Sequence, residues 1–178
     1  MKIIIAGAGE VGSHLAKMLS NESNNLTIID SDESRLNKLR EVADVITIWG
    51  NPTSIETLKE AGAETADLFI AVSPAHDQDV NIISALLAKK MGSQKVTARI
   101  NNDEYMHHEN KLLFTEMGID LLFYPELVEN HVPYFVAGNE PVQILGLYYN
   151  HMAPKMAYRF ASNVFLNAAI NLGRILTL

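Results

Sequence analysis

The chain of 178 residues has no cysteine, which excludes disulfide bridges, thiolate metal sites and thiol nucleophiles. No apolar run approaches the roughly 18 uncharged residues that a membrane-spanning helix needs. The opening stretch Ile3-Ile4-Ile5 is too short for a secretory signal and runs straight into glycines, so the cytoplasm is the expected compartment. Positive charge is scarce. There are 14 Lys and Arg against 21 Asp and Glu, a net charge of -7, and a nucleic-acid partner, which calls for a basic patch, is not expected. Charge of either sign thins out late in the chain: residues 1–130 hold 11 basic and 20 acidic side chains, residues 131–178 only 3 and 1. Internal repeats and low-complexity stretches are also missing.

What is present is an alternation of short apolar runs with longer amphipathic segments, the pattern of βαβ units and a parallel sheet. Strands are expected at Lys2–Ala6, Leu26–Asp30, Val45–Trp49, Leu68–Val72, Lys95–Ile100 and Asp120–Phe123. Most are continuous Ile/Val/Leu runs, as strands covered by helices on both faces require. Helical spacing links Val11, Leu15, Met18 and Leu19, then Leu36 and Leu39 within Asp32–Val42. A short helix is expected at Ser54–Ala61, and a longer one at Asp77–Met91 with Val80, Ile83, Leu87 and Met91 on its apolar face. Asn101 with Glu104 three residues later resembles a capping box, opening a helix that runs to Met117 and stops at Gly118.

The fold class expected is therefore α/β: a Rossmann-type, doubly wound parallel sheet of six strands over residues 1–125, with a helical extension over 126–178. Within the extension, Glu126–Ala137 has the pattern of one more helix, although Pro133 falls inside it. From Lys155 onward the chain reads as a long helix with a narrow polar stripe at Arg159, Asn163, Asn167, Asn171 and Arg174. Its wide apolar face suits packing on the body or a partner subunit; a membrane-surface helix or a segment foreign to the natural protein are the alternatives.

The chemistry concentrates in Gly7-Ala8-Gly9-Glu10-Val11-Gly12, a G-x-G-x-x-G run directly after a strand and before a helix. Gly7 suits the tight exit from the strand, Gly9 leaves room for a pyrophosphate, and Gly12 lets the helix approach the sheet. The helix start offers unpaired N–H groups and a partial positive charge to phosphate, making all six residues candidate cofactor-binding positions. The second strand ends in Asp30, eighteen residues after Gly12, where a carboxylate can accept from the adenosine ribose hydroxyls. Such a carboxylate repels a 2′-phosphate, and the first arginine after it, Arg35, lies inside the next helix. NADP is therefore disfavoured, while NAD(H), ATP, ADP and AMP remain open.

Four further stretches make the chain resemble the RCK (or KTN) domain of TrkA-type potassium-uptake regulators. Gly50-Asn51-Pro52-Thr53 is similar to the family's G-(D/N)-x-(T/S) turn. Leu68-Phe69-Ile70-Ala71-Val72-Ser73 is followed by Asp77–Asn81 and by a helix ending Ala88-Lys89-Lys90-Met91-Gly92. Thr97-Ala98-Arg99-Ile100, with Asn101-Asn102 and Tyr105, looks like A-R-(V/I)-x-(N/D)-x-x-Y, and Gly118-Ile119-Asp120 with Tyr124-Pro125-Glu126 looks like G-(I/V)-D…P-E. The resemblance covers residues 1 to about 130. It implies a non-catalytic, cytoplasmic regulatory subunit that binds NAD(H) or ATP/ADP, assembles as a homodimer or higher ring, and lies against the membrane through a Trk-type potassium transporter. Past residue 130 the resemblance fades, and the tail is too short for the separate ligand-binding domain that often follows.

At the carboxyl ends of the strands, where ligands lie in open α/β sheets, Arg99 is the residue expected to grip a terminal phosphate bidentately. Ser73 and Asn51 line the same edge, as contacts to ribose or base or as simple caps. The rival reading is a small NAD-dependent oxidoreductase. It lacks a Tyr-x-x-x-Lys pair, and about 50 residues after Pro125 are too few for a typical substrate domain. No catalytic residue and no metal site are expected. His107 and His108 point about 100° apart on a helix and cannot share an ion, and Asp77 and Asp79 suit a helix start better than a cation. Trp49 is expected in the core.

Overall fold

The computed structural model describes residues 1–20, 24–124, 134–137 and 140–143. The strands β1 (Lys2–Ala6), β2 (Asn25–Asp30), β3 (Ile46–Trp49), β4 (Leu68–Ala71), β5 (Lys95–Arg99) and β6 (Leu121–Phe123) form one sheet in the order β3-β2-β1-β4-β5-β6. Every pairing in it is parallel. The order reverses between β1 and β4, so the crevice beyond their carboxyl ends is where such a sheet receives a ligand.

Alternation along each strand divides the core. Ile3 and Ile5 of β1 and Leu68 and Ile70 of β4 face α1 (Glu10–Leu19) and α2 (Glu33–Arg40). Ile4, Ala6, Phe69 and Ala71 face α3 (Ile55–Glu60), α4 (Gln78–Met91) and α5 (His108–Met117). Each fully buried Ile contributes about 1.5–3 kcal/mol of transfer free energy, and both faces being covered is what makes the strand sequences uniformly apolar. Helix α1 seats Val11, Leu15 and Leu19 in the first layer. It lies close because residue 12 has no side chain: a Cβ there would strike the Gly7 carbonyl oxygen and sit 3.4 Å from Val72 Cγ2.

Three segments depart from the sequence reading. Asn102, not Asn101, is the cap: its side chain accepts from the Glu104 amide at 3.0 Å and opens only a 3-10 turn, Asp103–Met106. His107 is extended (φ -64, ψ 142), so the helix restarts as α5 at His108. Helix α4 buries a stripe of small and polar residues, Asn81, Ser84, Ala85 and Ala88, while Ile83 is exposed. Short side chains at that stripe let the helix lie close over β4 and β5. Finally, Tyr134–Ala137 is a strand (β7), paired antiparallel with Glu140–Gln143 (β8), where helix was expected. Pro133 lacks the N–H a helix interior needs, and Tyr-Phe-Val favours extended backbone. The remainder of residues 126–178, including the expected long helix, lies outside the described residues.

Candidate functional site

The loop between β1 and α1 is fixed by its neighbours. Gly7 donates its N–H to the Ile29 carbonyl at 2.8 Å and takes φ +110, a conformation only glycine adopts without strain. A Cβ on Gly7 would also lie 2.6 Å from the Ser73 amide nitrogen, so Gly7 and Ser73 are packed backbone to backbone. Ala8 donates its N–H to Asp30 Oδ2 at 2.5 Å, and Ser13 Oγ donates to the Ala8 carbonyl at 2.8 Å. Gly9 differs from the other two glycines. It caps α1 in an extended conformation (φ -67, ψ -166), no side chain satisfies the first turn, and a Cβ placed on it meets no heavy atom within 4 Å. The start of α1 thus has no side-chain cap, and the positive end of the helix dipole lies behind the open space over Gly9.

Asp30, at the end of β2, is only 4% exposed. Its Oδ2 takes the Ala8 amide and its Oδ1 takes the Asp32 amide at 2.7 Å, so the carboxylate clamps the glycine loop to the β2–α2 turn. Each oxygen retains a second lone pair for a ribose hydroxyl. Arg35 is nearer than its place in α2 suggested: Nη1 is 3.8 Å from Asp30 Oδ2 and Nε is 3.3 Å from Asp32 Oδ2. The Asp32 carboxyl is held below the usual carboxylate range, chiefly by the hydrogen bond from the Ser34 hydroxyl. Asp32 also caps α2 through the Ser34 amide.

Asn51 stands in the turn after β3, where its Oδ1 accepts from both the Thr53 amide and hydroxyl at 2.9 Å. Ser73 and Arg99 are joined by a residue outside the expected set. Asn81 is fully buried on α4, and its Oδ1 accepts from the Ser73 amide at 2.8 Å. Its Nδ2 donates to the carbonyls of Ser73 at 3.2 Å and Arg99 at 3.1 Å. The ends of β4 and β5 are thus tied through one side-chain amide. A polar residue inside a helix, after a strand followed by serine, was the only signal in the sequence. Val96 and Ala98 belong to the layer under α3–α5, so Arg99 projects from the opposite face, the one that carries α1 and the glycine loop. It is 7% exposed.

Trp49 corrects an expectation. It is 65% exposed, lies in register with Asp30 across β2–β3, and donates its indole N–H to the Ser31 carbonyl at 3.0 Å. The hydrogen bond holds the exposed ring beside the β2–α2 turn, at the carboxyl end of β3.

The TrkA-N domain family profile matches residues 3–125. The chain is 41% identical over 129 residues to a Trk system potassium uptake protein TrkA homolog from Archaeoglobus fulgidus, covering 71% of this chain and 28% of that protein. It is 35% identical over 147 residues to Trk system potassium uptake protein TrkA from Haemophilus influenzae, covering 81% and 32%. The chain thus spans about a third or less of either relative. Among solved structures, the TrkA-N domain of inner membrane protein ybaL from Escherichia coli superposes with a TM-score of 0.59 at 24% identity, covering 71% of this chain and 88% of that one. A GsuK channel bound to NAD gives a TM-score of 0.58 at 13% identity, covering 76% and 24%. The Kef C-terminal domain of Shewanella denitrificans in its AMP-bound form gives 0.54 at 18%, covering 98% and 99%.

Proposed function

Because this chain belongs to the TrkA-N domain family, we propose that it is a nucleotide-sensing regulatory domain of a Trk-type potassium-uptake system, taking NAD(H) or ATP/ADP as its regulatory ligand. The observation that carries the nucleotide half of this reading is Gly9. Gly7 and Gly12 are demanded by the protein's own packing, whereas among the described residues nothing fills the space above Gly9, which lies against an uncapped helix start. A pyrophosphate or a 5′-phosphate is the group that such a place receives. The names of the relatives, potassium-uptake proteins, support the physiological half, and structures of like fold carry NAD and AMP.

In this reading Gly7 to Gly12 shape the phosphate seat, Asp30 holds ribose while bracing the loop, and Asn51 and Ser73 border the adenosine. Arg99 reads the far phosphates. ATP ends in a free phosphate that a guanidinium can grip, whereas the diphosphate of NAD is bridged by a second nucleoside. A ligand shifts a conformational balance only through contacts that differ between states, and Arg99 supplies that difference. The domain acts without catalysis, at the cytoplasmic face of the membrane, through a transporter subunit and in a homodimer or higher ring. Among the described residues no helix is long and apolar enough to cross a membrane.

Calorimetric titration with NADH, NAD, ATP and ADP tests the proposal. Saturable binding of at least one is expected, and Arg99→Ala should weaken ATP more than NADH. Absence of binding by all four would overturn the nucleotide reading, and equal losses for ATP and NADH would remove Arg99 from the sensing role.

A further inference from the structure

Three strand ends stand side by side at the carboxyl edge of the sheet, in the order in which a nucleotide presents its parts. The glycine loop leaves β1, Asp30 ends β2 and Trp49 ends β3, and these strands are consecutive neighbours. Adjacent strands lie about 4.8 Å apart. With a phosphate over Gly9 and a ribose on Asp30, the next place in line for the base is the end of β3.

Trp49 shares the side of the sheet from which Asp30 projects. The two are paired in register. Ile29 and Ile48, the residues before them, both belong to the layer under α3–α5, so the carboxylate and the indole leave from the opposite face. Thr47, two residues back on β3, marks that face as well, because its hydroxyl accepts from Arg40 of α2. The indole N–H is spent on the Ser31 carbonyl, which fixes the ring by its edge and leaves most of its surface bare. A bicyclic aromatic held in this way is a surface on which a base stacks. Neither Trp49 nor Asn51, two residues further on, can take the amino group of adenine, which needs an acceptor. An indole offers none, and Asn51 Oδ1 already accepts from both the amide and the hydroxyl of Thr53. The Asn51 amide can only donate, and adenine and guanine alike offer N7 to a donor.

We propose that Trp49 is the stacking platform for the nucleotide base and that it selects a purine without singling out adenine, so that guanine nucleotides bind alongside the adenine ones. The proposal rests on nucleotide binding at the glycine loop and names the class of base which that site accepts.

The test is calorimetry on the full chain with ADP, GDP and CDP, repeated with Trp49→Ala and Trp49→Phe. On the wild type, ADP and GDP should bind within about tenfold of each other, and CDP more than about threefold weaker than either, since a single ring covers less of the indole. Trp49→Ala should weaken ADP and GDP alike by roughly tenfold, the scale of one base–aromatic stack. Trp49→Phe keeps an aromatic face and should stay within about threefold of the wild type. ADP held by Trp49→Ala within threefold of the wild type would overturn the platform. A Trp49→Phe variant as weak as Trp49→Ala would do the same, by showing that the bond to Ser31 matters and the ring does not. GDP more than tenfold weaker than ADP, or CDP within threefold of it, would overturn the purine selection while leaving nucleotide binding intact. Binding of none of the three, nor of NADH, would remove the proposal together with the reading it rests on.

Discussion

Substituting alanine at Gly9 separates what the protein needs from what its ligand needs. The backbone there has φ -67 and ψ -166, which alanine adopts freely, and the added methyl meets no heavy atom within 4 Å. Two small effects on folding oppose each other. Losing a glycine from the unfolded chain stabilises by up to about 1 kcal/mol, while alanine is the poorer N-cap by a similar amount, roughly 1 kcal/mol. The denaturation midpoint should therefore hardly move. Binding should change greatly, because the methyl occupies the space a phosphate needs to reach the amides of Glu10 and Val11. Two hydrogen bonds to a charged group, at about 1.5 kcal/mol each, sum to about 3 kcal/mol. That corresponds to roughly 100-fold in affinity. Gly12→Ala is the contrasting control: its Cβ collides with the Gly7 carbonyl oxygen, α1 must shift, and stability should fall by about 1–3 kcal/mol. Urea denaturation and ADP calorimetry on the wild type and both variants decide the matter. A folded Gly9→Ala protein that binds ADP within threefold of wild type would refute the placement of the phosphates over this loop.

Asp30→Asn leaves one of two backbone N–H groups facing an amide donor; the protein should lose about 1–3 kcal/mol, and an unchanged urea midpoint would show that the clamp contributes nothing. Hydrogen bonds from Ser34 and the charge of Arg35 favour ionised Asp32, so its folded pKa lies below its ordinary 3.8 and its stabilisation is present above that pH and lost as pH falls through the folded value. The stability difference between wild type and Asp32→Asn should accordingly be constant near neutrality and disappear on acidification below about pH 3.8; a difference that fades near pH 6 would contradict the assignment. Trp49 is the chain's single tryptophan and sits exposed in register with Asp30, so in the proposed reading saturating ADP should alter its emission. An unchanged spectrum while calorimetry registers saturation would place the bound adenosine away from the indole.

The strands and the glycine loop were legible because they follow from local rules. Continuous branched apolar runs locate β1 to β6 within about a residue, and G-x-G-x-x-G followed by Asp30 locates the crevice. The misreadings share a cause: they depend on partners distant in the chain. Helical spacing put Ile83 on the buried face of α4, but Asn81 is drawn inward by three backbone groups, two on Ser73 just past β4 and one on Arg99 of β5, that no periodicity records. Trp49 looked like core by its hydrophobicity, yet it closes the edge strand β3 and is 65% exposed among the described residues. Arg35 looked remote by sequence position, although one helical turn brings it back over Asp30. The capping-box spacing pointed to Asn101, whereas the Glu104 amide is bonded by Asn102.

The Asn81 amide has a mechanical consequence. Ser73 touches the first glycine of the loop, Arg99 terminates the adjacent strand, and both hang on the same buried hinge pin. In the proposed nucleotide reading, a phosphate that draws the Arg99 main chain must either drag Ser73 and the head of α4 with it or strand a polar group indoors, at about 1–3 kcal/mol. Under the proposed reading, a tug on one strand tip is therefore felt at the next through this shared amide.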